Sequence, residues 1–210
     1  MDARDWDRRY ETSELVWSAA PNRFVEAELA GLPPGRAVDL AAGEGRNALW
    51  LATRGWQVTA VDFSAAGLDK GRALQRRHGG DLHIDWVQAD VLEFDLGAAT
   101  VDLALLAYLQ LPDEERRTAV RRAFGMLRDG GTLFVVAHDS TNLTDGTGGP
   151  QDAAVLYTAE DMLADLDGER FEVLRAERVA REVPPPDDAP AEPARTAYDV
   201  LVRLVRTDPL

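Results

Sequence analysis

The chain reads as short apolar runs alternating with segments whose apolar residues recur every three or four positions. The runs "RAVDLA" (36–41), "WQVTAVD" (56–62), "HIDWVQAD" (83–90), "VDLALLAY" (101–108) and "GTLFVVAHD" (131–139) predict short, β-rich strands. Between them, residues 47–54, 65–77 and 113–127 carry helical spacing. Asp113 after Pro112 opens the last of these, and the glycines of "RDGG" (128–131) close it. This alternation predicts an α/β fold, a parallel sheet covered by helices on both faces.

Past residue 140 the rhythm changes. "TAEDMLADL" (158–166) predicts a helix capped by Thr158 and Asp161 in the S/T-x-x-D/E arrangement. "RFEVLRAERVAREV" (170–183) and "RTAYDVLVRLVR" (195–206) predict two long strands joined by the proline-rich "PPPDDAPAEPA", where no helix fits. Strands linked without a helix are free to pair antiparallel. No internal repeat and no second core is visible. One domain is expected over 1–210: an N-terminal segment (1–30), a core (31–139), and a loop, helix and hairpin (140–210).

Chemistry enters at "VDLAAGEGRNALWLA" (38–52), where a strand meets a helix through a glycine-rich turn. Gly43, Gly45 and Ala48 satisfy G-x-G-x-x-A, so a dinucleotide is one candidate ligand. Glycines let the backbone approach a ligand, and the helix opening at Arg46 and Asn47 presents free N–H groups. The neighbouring acids point elsewhere. Asp39 in the strand and Glu44 in the turn would repel a pyrophosphate. They would favour S-adenosylmethionine (SAM), whose methionine end carries an ammonium and a sulfonium. Asp62, closing the second strand, is placed to accept hydrogen bonds from ribose hydroxyls. Asp90, closing the third, is either an acceptor for an adenine amino group or the cap of the turn that follows.

Composition narrows the partners. With 37 acidic residues against 23 Lys and Arg, the formal net charge is -14. Such a chain lacks the cationic surface that phosphate recognition requires, so no nucleic-acid partner is expected. There are no cysteines, which excludes disulfides, thiolate metal sites and a Cys nucleophile. The three histidines, His78, His83 and His138, are scattered, and no metal site is expected. No signal peptide or membrane span is visible. The expectation is a cytoplasmic protein, a monomer or homodimer with no membrane partner.

At this point the sequence resembles the class I SAM-dependent methyltransferases. The likeness runs from "VDLAAGEGRNA" through "AVDFS", "VQADVLEF" and "LLAYLQLP" to "LRDGGTLFVVAHD", in family order, and continues into the terminal hairpin. "AGEGRNALWLATRGWQVTAVDFS" looks most like the small bacterial subgroup around tellurite-resistance and thiopurine-type methyltransferases. The resemblance implies a single-domain Rossmann-like fold with a seven-stranded, mostly parallel sheet and an antiparallel C-terminal strand. The family's acid-x-Gly-x-Gly-x-Gly reads here as Asp39-x-Ala41-x-Gly43-x-Gly45; alanine is small, and only a minor change is expected. By position, Asp39 to Gly45 would flank the methionine moiety of SAM, and Arg46 would orient its carboxylate or cover the turn. Asp62 would bind ribose with Phe63 beside the adenine. Ala89, Asp90 and Val91 would frame the adenine, and Ala107 and Tyr108 would line the methyl-transfer side.

Methyl transfer is an in-line displacement that requires alignment and, for a protic acceptor, a base. His138 ends the fifth strand at the ligand-binding edge and is the candidate base, against a structural histidine at a strand end. Tyr108 is the second candidate, as a hydrogen-bond donor or pocket wall. Asp139 is a candidate to orient His138, although adjacent residues on a strand point to opposite faces. Tyr10 and Trp17 would either close over the cofactor as a lid or anchor the N-terminal segment on the helices. The glycine-rich loop 140–158 is expected to form an acceptor-binding wall. The tetrapeptide (D/N)-P-P-(Y/F), typical of DNA and amide methyltransferases, is missing after the fourth strand, which favours a small-molecule acceptor bearing a thiol or chalcogen, a hydroxyl or a ring nitrogen. An NAD-dependent oxidoreductase and a non-catalytic SAM-binding module are the alternatives.

Overall fold

The computed structural model describes residues 3–11, 20–185 and 193–207. Helices α1 (Ala3–Glu11) and α2 (Arg23–Leu29) precede the first strand, β1 (Arg36–Leu40). Then follow α3 (Arg46–Thr53), β2 (Gln57–Asp62), α4 (Ala65–His78), β3 (Ile84–Gln88), β4 (Val101–Ala107), α5 (Asp113–Met126) and β5 (Leu127–His138). A short helix α6 (Asn142–Asp145), a 3-10 turn (Ala153–Val155), α7 (Ala159–Asp165), β6 (Phe171–Val183) and β7 (Arg195–Arg206) complete the described chain.

The strands form one seven-stranded sheet in the order β3-β2-β1-β4-β5-β7-β6. β1 to β5 run parallel, and β7 slots antiparallel between β5 and β6. The expected fold is the observed one. Because β1 is flanked by β2 and β4, chain direction across the sheet reverses there, and ligands of open α/β sheets bind outside the carboxyl ends of strands at that point.

Two apolar layers hold the sheet. On one face Val25 and Leu29 of α2 and Ala48 and Leu51 of α3 pack against Ala60, Leu103, Leu105, Phe134 and Val136. On the other, Ala119, Val120, Ala123 and Phe124 of α5 and Met162 of α7 cover Val38, Leu106, Val135 and Val202. Burying each large side chain of this kind stabilises the fold by roughly 1.5–3 kcal/mol. The capping box at the start of α7 forms as the sequence predicts: Thr158 Oγ1 accepts from the Asp161 amide, and Asp161 Oδ2 accepts from the Thr158 amide.

One boundary departs from expectation. The "RDGG" stretch does not separate α5 from its strand, because β5 begins at Leu127, which pairs with Val101. The ladder then shifts register before Leu103 meets Thr132, with Gly130 at φ +73° absorbing the irregularity. Glycines that end helices also make bulges, and only the pairing partner distinguishes the two.

Candidate functional site

The turn after β1 is shaped by three successive left-handed residues at alternate positions: Ala41 (φ 59°), Gly43 (φ 56°) and Gly45 (φ 72°). Gly45 is the N-cap of α3 and offers no side chain, so the first amides of the helix face outward from the turn. Gly43 donates its amide to Asp62 Oδ2 at 2.8 Å, while Asp62 Oδ1 accepts from Ser64 N at 2.8 Å. The carboxylate at the end of β2 thus locks the turn beside it. Each oxygen retains a second lone pair. Burial pushes the Asp62 carboxyl up, the Ser64 and Gly43 amides oppose this, and the Asp7 charge adds to it.

Asp39 lies one strand away in a different electrostatic setting. It is 1% exposed, and neither carboxylate oxygen has a hydrogen-bond partner among the described residues. Burial pushes its carboxyl up to about 7; the nearby Ala48 amide and the Arg46 charge pull against this, and the Asp62 charge adds to it. Arg46 begins α3 between the turn and the end of β4. Burial lowers its affinity for its proton, while Tyr108, Asp39, Glu44 and Tyr10 all act in the opposite sense. Glu44 turns to Lys70 of α4, at 3.2 Å. The buried Asn47 accepts the Asn22 amide at 2.9 Å, joining α3 to the start of α2.

The N-terminal helix reaches the same turn. Tyr10 is buried, and a Cβ at Gly43 would lie 2.5 Å from its hydroxyl. Asp7 fastens α1 to the start of α4, accepting from Ser64 Oγ at 2.5 Å and Ala66 N at 3.2 Å. Gly67 and Gly71 of α4 are the small face that admits this packing: a Cβ at Gly67 would stand 3.0 Å from Tyr10, and one at Gly71 would collide with Trp86. Glycine inside a helix costs about 1 kcal/mol relative to alanine, so two of them four residues apart mark close approach rather than helix preference. Tyr10 is therefore both anchored on α4 and set over the glycine turn. Trp17 lies outside the described residues.

The adenine-side candidates sit at the ends of β2 and β3. Phe63 is half-buried, and its carbonyl accepts from Gln88 Nε2 at 3.3 Å; Ala89 donates to the Asp62 carbonyl at 3.1 Å. Asp90 is exposed and caps its own turn by accepting the Leu92 amide at 2.9 Å. The Val91 side chain enters the core.

The acceptor-side candidates converge around a residue that sequence reasoning missed. Half-buried Ala107 leads into Tyr108, which holds φ at 60°, a left-handed conformation that costs an aromatic residue about 1–3 kcal/mol. The Tyr108 hydroxyl donates to Asp199 Oδ2 at 2.9 Å, and its ring lies 4.9 Å from that of His138. Arg181 Nε donates to the same oxygen at 2.7 Å. His138 Nδ1 stands 3.1 Å from Asp199 Oδ1. Burial alone would raise the Asp199 carboxyl, but His138 and Arg181 outweigh it and hold it below the usual range. Burial and then the Asp199 charge push the Tyr108 phenol up to about 12, so it keeps its proton at neutral pH. Asp139 faces away and caps Thr141. The partner of His138 is thus the aspartate opposite it on β7, not the one beside it. The available signal was an acid inside the apolar alternation of "TAYDVLVRLV".

Loop 140–158 closes over this cluster. A Cβ on Gly149 would stand 2.9 Å from the His138 ring, so the loop backbone rests directly on the imidazole. Asn142 ties the loop to β7 by accepting the Tyr198 amide at 2.8 Å. A cavity of about 580 Å³, lined by Arg36, Gln57, His83 and Asp85 among others, opens at the opposite edge of the sheet, away from the glycine turn. Among the described residues no cluster of metal-ligating side chains occurs, and no helix is long and apolar enough to cross a membrane.

Residues 37–131 match the family described as "Methyltransferase domain". The chain is 31% identical over 123 residues to a demethylmenaquinone methyltransferase of Clavibacter sepedonicus, covering 59% of this chain and 47% of that protein. It spans about half the length of the curated relatives it matches. Among solved structures it is similar to the N-methyltransferase NodS of Bradyrhizobium japonicum in complex with S-adenosyl-L-homocysteine (TM-score 0.71, 17% identity, 99% of this chain and 100% of that one). It is also similar to TehB of Haemophilus influenzae (TM-score 0.71, 18% identity, 97% and 66%). The residues fit SAM: a buried carboxylate at Asp39 without a hydrogen bond to any described residue suits an ammonium, and the spare lone pairs of Asp62 suit ribose hydroxyls. Residues 37–131 match a methyltransferase domain, and the cofactor that this likeness and the solved complex with S-adenosyl-L-homocysteine support is SAM.

Proposed function

We propose that this protein transfers a methyl group from SAM to a small-molecule acceptor. The observation that carries the reading is Asp39, an aspartate buried at the glycine turn with both oxygens unpaired. Leaving a buried carboxylate unpaired is costly, and chains retain such groups where a ligand completes them. An ammonium supplies the missing charge; a pyrophosphate would worsen the repulsion, which disfavours a dinucleotide.

When bound, SAM supplies an activated methyl carbon on a sulfonium. The chain contributes position and proton handling. Asp39 and the amides at the start of α3 hold the methionine end, and Asp62 holds the ribose. Tyr10 covers the turn, and Phe63 and Ala89 border the base. On the acceptor side, His138 is the base; Tyr108, a donor to Asp199, forms the wall beside it. Loop 140–158 excludes water from the imidazole. The net charge of -14 and the crowded, loop-covered acceptor side favour a small molecule over a nucleic acid. The likeness of "AGEGRNALWLATRGWQVTAVDFS" to the tellurite-resistance and thiopurine-type subgroup is in keeping with the resemblance to TehB, whereas the curated relatives include quinone methyltransferases.

Titration calorimetry tests the cofactor directly. SAM and S-adenosylhomocysteine are expected to bind at micromolar level, roughly -8 kcal/mol, with no heat from NAD. Tight NAD binding without SAM binding would sink the proposal.

A further inference from the structure

The geometry points to Asp199 as the positioning residue that fixes the tautomer of His138, and through it to a neutral acceptor with an O–H or N–H proton to lose. The acceptor class rests on the methyltransferase reading above; the tautomer does not.

His138 and Asp199 are direct partners across the β5–β7 ladder, so their side chains leave the sheet on the same face. Nδ1 and Oδ1 lie 3.1 Å apart and both are buried; their contact is short of aligned hydrogen-bond geometry, and neither atom has a hydrogen-bond partner among the other described groups. The other carboxylate oxygen is occupied by Tyr108 Oη and Arg181 Nε. Oδ1 is thus the acceptor left for the imidazole. Turning the ring over would set a carbon against a buried carboxylate oxygen. The ring is also held between Tyr108 and the Gly149 backbone, and the His138 amide is pinned by Gln110 Oε1 at 2.8 Å. A proton on Nδ1 leaves Nε2 with its lone pair free.

The charges around the ring are Asp199 on β7 and Arg181 on β6, with the neutral phenol of Tyr108 just after β4 and Arg46 beyond it. The Asp199 and Arg181 charges cancel until a proton arrives at Nε2; the imidazolium then faces Asp199. Such an arrangement is useful where a proton must leave during the reaction, and a chalcogen anion has none. In the transfer, the acceptor's oxygen or nitrogen lone pair bonds to the methyl carbon. The carbon–sulfur bond breaks toward sulfur, and the acceptor's proton passes to Nε2.

The test is the ¹⁵N imidazole spectrum of the ligand-free full chain, at a pH where histidines are neutral. Only three histidines contribute, and a His138→Gln spectrum assigns the signal. The expected result is a protonated Nδ1 and an unprotonated Nε2. A proton on Nε2 in the wild type overturns the inference without recourse to any variant that fails to fold. Asp199→Asn should mix the tautomers and lower kcat on phenols and heterocyclic N–H acceptors by about 10²–10⁴-fold, leaving the KM for SAM unchanged. Faster turnover of thiols than of protic acceptors, indifferent to Asp199→Asn, overturns the acceptor class. A protonated Nδ1 in a protein that shows no calorimetric SAM binding supports the tautomer and refutes the methyltransferase reading.

Discussion

Asp39 and Asp199 stand on the two sides of one site, and at 1% and 0% exposure they are equally removed from water. Their carboxyls nevertheless move in opposite directions, Asp39 up to about 7 and Asp199 below the usual range. Desolvation acts on both. The difference is company: Asp199 meets Arg181, Tyr108 and His138 within 3.1 Å, whereas Asp39 has no bonded partner in the described chain. The acceptor side carries its counter-charges in the sequence. On the proposed reading, the cofactor side draws on the ammonium of SAM as well as on Arg46. A buried acid therefore reads as machinery or as a receptor according to its neighbours, not its depth.

The largest test of this contrast is His138→Ala. It should lower turnover by about 10²–10⁴-fold while leaving SAM affinity unchanged in calorimetry. Parallel loss of SAM binding would merge the two sides into one. Next in size is Asp39→Asn, which should weaken SAM binding by about 10–100-fold through loss of the charge that meets the ammonium.

The same variant has a pH signature. Because burial pushes the folded carboxyl up to about 7 and the unfolded one keeps the ordinary aspartate value of 3.8, the native state binds the extra proton between these values. Stability from this group is then full below the unfolded value and is lost as pH rises through the folded one. Asp39→Asn should therefore gain stability relative to wild type at pH 8 and not at pH 4, by up to about 4 kcal/mol, the equivalent of the three-unit difference. Denaturant melts of the ligand-free proteins at the two pH values measure this directly; a pH-independent difference would mean that Asp39 is already compensated.

The smallest expected effect lies within the turn. Ala41 holds φ 59° where the family pattern has glycine, so Ala41→Gly should stabilise the protein by about 0.5–1 kcal/mol with no change in SAM affinity. Destabilisation would show that the alanine methyl packs usefully. The sequence expectation that alanine changes little here concerned size; backbone conformation is where the substitution acts.

The glycine turn and the acids beside it were legible because they are local. Asp39, Gly43, Gly45 and Asp62 fall within 24 residues on two adjacent strands, and the turn that brings them together is written in consecutive positions. The acceptor side is assembled across the sheet. His138 and Asp199 are 61 positions apart, and their pairing depends on the β5–β7 register, which no local pattern encodes. The placement of Tyr10 over Gly43 depends likewise on the docking of α1 to α4 through Asp7. The use of Gly67 and Gly71 of α4 as a seat for Tyr10 and Trp86 emerges only in three dimensions.

The insertion of β7 between β5 and β6 has a consequence for timing. A ribosome delivers the strands in numerical order, so β1 to β3 pair with neighbours made shortly before or after them, and β4 then returns to the free edge of β1. β5 emerges next to β4 yet waits for its outer neighbour until more than fifty further residues have been made, and Asp199 arrives with that neighbour. The cofactor half of the sheet can thus assemble from successive strand–helix–strand units while the outer edge of β5 remains an unpaired template. During synthesis the nascent chain is expected to acquire its glycine turn first and the paired His138 and Asp199 last.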